Sequence, residues 1–398
     1  MTGENPVLLV EPYLGGSHQA WAEGVIAHSG HVVDLISHPA RWWKWRMRGA
    51  AVTLAEQCAH LSRAPAAVLV SDMVDVAALR TFARPYIGDV PLGVYFHETQ
   101  LIYPTSPRSN PDVQFAVTNW TSALAADRVY FNSDFHRRSF FEEVPRLLRH
   151  FPDQSHEHLL DVVAAKSQVL EVGVDMSWIQ PTAAGHGPVR GRADRDGCGN
   201  QSRATTTLPD VAGRLSERSL RLVWNHRWEP DKDPTSFFAA LDVLADEALD
   251  FEVVVLGESS GAPPDEFTAA AKRYGDRIVH MGWAEVGSYR KWLTSADVVV
   301  STAVQEFFGV AVVEGMAAGC MPVLPGRLSY PDLVPTEFHD SCLYPDGDLV
   351  DRLRWAITHP AGARNIGTAI APTMAQYGWD VMGGRYRAAL DELMRSTS

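Results

Sequence analysis

Apolar residues along the chain come in short runs, each bounded by polar or turn-forming positions. In the first half the runs are PVLLVE (6–11), HVVDLI (31–36), AAVLVS (66–71), PLGVYFH (91–97), RVYFN (128–132) and QVLEV (168–172). Helical patterns fall between them, around 17–28, 74–82 and 113–126. Continuous apolar runs of this length suit strands covered on both faces, and strands alternating with helices predict a parallel, doubly wound sheet. The alternation returns with RLVWN (221–225), FEVVVLG (251–257), RIVHMG (277–282), DVVVS (297–301) and CMPVLP (320–325). Between the two sets lies 181–217, rich in Gly, Arg, Asp and Thr and without a sustained period. Such a stretch predicts a flexible linker. The expected fold class is therefore α/β, with two Rossmann-like domains at 1–180 and 218–370 facing across a cleft.

Composition narrows the function without choosing it. The 398 residues, 46% hydrophobic and 21% charged, suffice for two buried cores. A formal net charge of -13 argues against a protein that coats nucleic acid indiscriminately, though it permits a local basic patch. Cys58, Cys198, Cys320 and Cys342 are widely spaced, which suggests neither a disulfide framework nor a zinc site and fits a reducing cytoplasm. The start, MTGENPVLLVEP, has no basic, apolar leader pattern, and no apolar run approaches the ~20 residues of a membrane helix. The expectation is a cytoplasmic protein without stable membrane insertion.

Four clusters at strand ends carry candidate chemistry. HRWEPDKDP (226–234) places Arg227 and Lys232 beyond a strand's carboxyl end, where a planar fork and a point charge can neutralise a diphosphate. QEFFGVAVVEGMAAGC (305–320) spaces Glu306 and Glu314 eight residues apart around Gly309. If Gly309 opens a helix, the free amides there, Val310 among them, favour an anion. At 1.5 Å per residue the two carboxylates are at most ~12 Å apart, a span suited to holding both ends of a sugar nucleotide. LGGSH (14–18) offers Gly15 and Gly16 for close backbone approach before a helix. YFHETQLIYP (95–104) puts His97 and Glu98 at a strand's end. The D-x-D matches at Asp231/Asp233 and Asp346/Asp348 are read as loop acidity, with no metal expected.

One stretch stands apart. RWWKWRMR (41–48) holds three tryptophans and four cations in eight positions, with no single helical or strand period. At least one of Trp42, Trp43 and Trp45 is expected to point outward. Indole planes with Lys44, Arg46 and Arg48 suit stacking on unpaired bases and holding phosphates, so Trp43, Lys44, Trp45, Arg46 and Arg48 are acceptor-binding candidates.

Arg227, Lys232, Glu306 and Glu314 together resemble the retaining GT-B glycosyltransferases of family 4. More narrowly, EPYLGGSHQAW, RWWKWRMR, YFHETQLIYP, FNSDFHRRSF, WNHRWEPDKDPTSFF and STAVQEFFGVAVVEGMAAGC resemble the glycosyltransferase-like domain 1 family, the tRNA-queuosine alpha-mannosyltransferases, over roughly 7–335. The resemblance implies transfer of mannose from GDP-mannose or another nucleotide-sugar to queuosine in a tRNA anticodon, with retention and without a metal or other cofactor. It implies that Arg227 and Lys232 hold the diphosphate, Glu314 the ribose, and Glu306 the sugar hydroxyls. Gly309 and Val310 would assist by their amides, with His97 facing the sugar and Gly16 near the phosphates. It also implies that a helical segment at 371–398 crosses back to the first domain. Two alternatives stand beside it: a glycosyltransferase for a lipid, small metabolite or other polymer, and a non-catalytic nucleotide-sugar or RNA-binding module. Turnover separates the second from an enzyme.

Overall fold

The computed structural model describes residues 5–102, 113–150, 153–179, 218–259 and 261–396. The expected linker at 181–217 and Cys198 lie outside the described residues. Six parallel strands form a first sheet: β1 (Val7–Leu14), β2 (Val33–Pro39), β3 (Ala67–Ser71), β4 (Leu92–Phe96), β5 (Arg128–Phe131) and β6 (Ser167–Val169), in the order β2-β1-β3-β4-β5-β6. A second parallel sheet holds β7 (Leu220–Asn225), β8 (Phe251–Leu256), β9 (Ile278–Gly282), β10 (Val298–Val300), β11 (Met321–Pro325) and β12 (Leu343–Tyr344), in the order β12-β11-β10-β7-β8-β9.

Most of these strands are buried because helices cover both faces, while β2, β6 and β9 are largely half-buried. β3 and β4 are buried throughout, as continuous apolar runs require. Eleven of the twelve strands fall on runs expected from the sequence; β12, only two residues long, leaves no run to read. Strand order reverses between β1 and β3 in one sheet and between β7 and β10 in the other. Loops leaving the carboxyl ends of neighbouring strands diverge at such points and open a crevice.

The helix Trp43–Cys58 was not expected from the sequence. Its tryptophan-rich start obscures the period, and Trp42 precedes it in the left-handed region at φ 57°. Its later residues, Ala50, Ala51, Leu54, Ala55 and Cys58, bury one helical face. Trp43 and Met47 turn inward with Met73, Phe115 and Tyr13.

After a 3-10 segment at Ala371–Tyr377, the helix Trp379–Met394 packs on the helix Gly16–His28 of the first domain. Trp379 stacks on His28 at 5.5 Å, and Trp21 Nε1 donates to Tyr386 Oη at 2.8 Å. Glycine permits this contact: a Cβ on Gly24 would lie 2.0 Å from the Trp379 ring. Among the described residues no helix is long and apolar enough to cross a membrane.

Candidate active site

Loops from both sheets line one cleft of about 520 Å³. After β1 come Gly16, Ser17 and His18; after β4, His97 and Glu98; at the end of β7 and beyond it, Asn225 to Arg227, Asp231 and Lys232. Trp283 follows β9, and Gln305 to Phe308 with Val310 follow β10. The candidates Gly16, His97, Arg227, Lys232, Glu306 and Val310 thus meet in one place.

Lys232 is buried in a turn just before the helix Pro234–Asp246. Its Nζ donates to the Gln305 carbonyl at 2.7 Å and to Glu306 Oε2 at 3.2 Å, with Asp231 Oδ2 also at 3.2 Å. Burial works against its charge, yet Glu306 and Asp231 outweigh burial and raise its pKa. The Arg227 side chain reaches Glu229 at 3.2 Å on the exposed rim. The D-x-D residues act locally: Asp231 pairs with Lys232, and Asp233 caps the helix by accepting the Ser236 amide at 3.1 Å. Asp346 pairs with Arg327.

Gly309, at φ 100°, caps the helix Val310–Ala317, and this left-handed conformation favours glycine. Inside that helix Glu314 accepts from Tyr289 Oη at 2.5 Å, and Asn225 Nδ2 donates to the same hydroxyl at 2.7 Å. Burial pushes Glu314 up to about 7, against the Tyr289 hydrogen bond. The acid loop is also tied to the first domain. Ser133 Oγ donates to the Phe307 carbonyl at 2.5 Å, and the His136 ring lies 4.1 Å from the Phe307 ring.

On the first-domain side His97 and Glu98 belong to a charged cluster whose other members, Glu11, His18 and Asp72, the sequence left unread. Glu11, fully buried in β1, accepts from the Tyr13 amide at 2.9 Å and lies 3.2 Å from His18 Nδ1. Burial alone would lower His18, but the charge and hydrogen bond of Glu11 raise it to about 9. His97 packs against His18, the rings tilted with centroids 4.1 Å apart, and is held neutral, well below its ordinary value, by burial and then by the charge of His18. The His97 amide donates to Asp72 Oδ1 at 2.9 Å. Burial and the nearby Glu98 push Asp72 up to about 8. Burial likewise raises Glu98. Glu11, His18 and His97 bring donor atoms within 4.8 Å of one another, the grouping among the described residues that could hold a metal ion. An acid inside the apolar run VLLVE was the signal that could have found Glu11.

Two candidates need correction. Gly15 does not line the cleft; a Cβ there would meet Ala40 Cβ at 2.6 Å, so it serves the packing of β1 against the end of β2. Trp43 is not an open stacking surface, since it packs 5.2 Å from Phe115. The outward indoles are Trp42, 79% exposed, and Trp45, 63% exposed. Lys44 lies over Trp43, Arg46 donates to the Pro39 carbonyl at 3.2 Å, and Arg48 lies over Phe115. Tyr13 links this patch to the cleft: it packs with Trp43 and Met47 and meets the His18 ring edge-on at 6.0 Å.

Comparison with known proteins follows the same division. Residues 6–174 match the family described as tRNA-queuosine alpha-mannosyltransferase N-terminal, and residues 220–359 match glycosyl transferases group 1. The tRNA-queuosine alpha-mannosyltransferase of Drosophila melanogaster is 34% identical over 334 residues, 83% of this chain and 82% of that one. The D-inositol 3-phosphate glycosyltransferase of Streptomyces coelicolor is 27% identical over 68% of this chain and 56% of its own. Among solved structures, sucrose-phosphate synthase from Thermosynechococcus elongatus superposes with a TM-score of 0.70 at 13% identity, covering 99% of this chain and 100% of that one. Anabaena HepE in complex with UDP and glucose gives a TM-score of 0.64 at 13% identity, over 98% and 100%. At such identities the likeness establishes the fold.

Proposed function

Because the chain belongs to the tRNA-queuosine alpha-mannosyltransferase family of GT-B glycosyltransferases, we propose that it transfers mannose from GDP-mannose to queuosine in the anticodon of a tRNA, in the cytoplasm, with retention and without a metal. The observation that carries the reading is the meeting of Arg227, Lys232 and Glu306 with His97 in one cleft between the two sheets.

The chemistry follows from those groups. Arg227 and Lys232 bring fixed positive charge to the donor diphosphate, where negative charge grows as the sugar departs. Glu306, held by Lys232, accepts from sugar hydroxyls, and Glu314 accepts from the ribose. His97, neutral at physiological pH, hydrogen-bonds the sugar without adding charge. Retention then follows if the acceptor hydroxyl attacks from the side the phosphate leaves, passing its proton to the leaving oxygen. No carboxylate nucleophile is needed on this path, and Lys232 keeps Glu306 engaged.

The acceptor reading rests on the relative's activity and on the patch at Trp42 and Trp45. A direct test incubates the protein with GDP-mannose and tRNA that carries or lacks queuosine, and reads the mass of the modified nucleoside. A hexose gained on queuosine alone supports the reading; transfer from UDP-sugars, or to tRNA without queuosine, overturns it. Arg227→Ala should lower kcat/KM by about one to two decades, the loss of one charge-assisted contact worth about 1.5–3 kcal/mol.

A further inference from the structure

Two buried polar atoms behind the first-domain wall of the cleft face each other without bonding. Among the described residues neither Glu11 Oε2 nor His97 Nε2 has a hydrogen-bond partner. The Glu11 side chain has no exposure and that of His97 only 9%. The two atoms lie 4.0 Å apart, too far for a hydrogen bond between them. A buried polar atom left unpaired is costly, and two of them facing one gap call for something between them. His18 closes the group, its Nδ1 3.2 Å from Glu11 Oε1. One donor atom from each of the three residues lies within 4.8 Å of the others. Around a tetrahedral zinc ion with bonds of about 2.0–2.1 Å, ligand atoms stand about 3.3–3.5 Å apart. The 3.2 Å and 4.0 Å separations bracket that spacing.

The surroundings hold these side chains as ligands need to be held. The Tyr13 amide donates to Glu11 Oε1 at 2.9 Å. The main chain of His97 is tied on both sides: its amide donates to Asp72 Oδ1 at 2.9 Å, and its carbonyl accepts from Asn132 Nδ2 at 2.8 Å. Trp21 and Tyr95 pack on the His97 ring, with centroids 4.6 Å and 4.8 Å away. Contacts of this kind aim a metal ligand and resist its rearrangement. We propose that Glu11, His18 and His97 form a site for a single transition-metal ion of the zinc class, and that an ion there blocks the donor by taking His97 Nε2 from the sugar. Two imidazoles and one carboxylate select zinc, cobalt or nickel over magnesium, which prefers oxygen ligands alone. The ion replaces the hydrogen between His18 Nδ1 and Glu11, which leaves to solvent as a proton. His18 and His97 line the cleft, so the fourth coordination position opens toward the donor. Transfer itself uses no metal; the ion is an inhibitor. The metal site stands on the geometry alone, and the inhibition rests on the sugar contact proposed for His97.

The test adds zinc chloride alone to the chelator-treated, full-length protein and follows binding by calorimetry. Cobalt chloride in its place reports coordination through its visible absorption. Wild type, His18→Ala and Glu11→Gln are compared, with folding checked by circular dichroism. Wild type should take up a single tight ion, show the intense cobalt bands of a four-coordinate site, and be indifferent to magnesium. Loss of an outer contact to a metal ligand costs about 10–100-fold, so loss of a ligand should weaken zinc by about a hundredfold. The chain has 15 histidines, so capture at its surface is the rival outcome. Zinc affinity within twofold of wild type in both folded variants means surface capture and overturns the proposal, as does the absence of a tight ion on wild type. If Glu11→Gln does not fold, His18→Ala decides alone. A second measurement reads GDP-mannose binding with and without zinc. Zinc should weaken it about tenfold in wild type, the loss of one hydrogen bond, and by much less in His18→Ala. Comparing the two proteins cancels any zinc held by the diphosphate itself. Equal effects of zinc on both overturn the inhibition. If the metal-free protein binds no GDP-mannose, the donor assignment of the proposed function falls, and zinc and cobalt binding decide the metal site by themselves.

Discussion

Lys232 and Arg227 look interchangeable in the sequence, yet the fold makes them unequal. Removing the buried Lys232 ammonium leaves the half-buried Glu306 and Asp231 without their shared cation, so Lys232→Ala would confound binding with folding. Arg227, on the exposed rim, tests the diphosphate contact without stranding two acids in the cleft wall. Asp72 shows the reverse situation, a buried acid whose ionisation is a liability. Its pKa is about 8 folded and 3.8 when unperturbed, so its contribution is fully present below 3.8 and is lost as pH rises through 8. Asp72→Asn keeps an oxygen for the His97 amide and removes the charge. Thermal melts should show stabilisation at pH 8 that shrinks toward pH 5. Relief of about 1 kcal/mol raises Tm by roughly 2–4 °C. Equal melting temperatures at pH 8 would mean Asp72 is not held protonated in the fold.

At the scale of elements, most strands and the helices at 16–28, 76–87 and 113–125 were legible because burial on both strand faces writes itself into continuous apolar runs. The helix at 43–58 was not, because its first turn spends tryptophans on opposite faces. Ser133 serves two elements at once. Its Oγ accepts the His136 amide at 3.0 Å, capping the helix Asp134–Leu148, and donates to the Phe307 carbonyl beside Glu306. Ser133→Ala should therefore cost about 1–2 kcal/mol, read by chemical denaturation. It should also raise the donor KM, since the acid loop loses its tie to the first domain. A stability loss with an unchanged KM would restrict Ser133 to capping.

The whole molecule carries -13 net charge and nonetheless presents one cationic, aromatic patch beside the cleft. Trp42, Lys44 and Trp45 are its open members, and through Trp43 and Tyr13 it is continuous with His18. Replacing Trp42, Lys44 and Trp45 together by alanine should weaken tRNA binding, each lost base stack contributing about 1–3 kcal/mol. The slope of log affinity against log salt should fall by about one for the lost phosphate contact. GDP binding should not change. If tRNA affinity survives while GDP binding falls, the patch supports the fold and does not contact RNA.

The sequence by itself determined the alternation of strand and helix, the two parallel sheets, and the place of the candidate donor-side residues at strand ends. Each of these follows from local pattern: buried runs, turn residues at strand ends, and charges just beyond them. Only the tertiary structure decided which charges meet. Glu11 and His97 lie 86 positions apart in the chain, and Lys232 and Glu306 lie 74 apart, yet each pair shares a site because parallel strands set their carboxyl ends side by side. Which indoles face outward was likewise decided by the packing of Trp43 on Phe115. Proximity, burial and the pKa shifts they cause depend on strand order, and strand order is not written in any local period.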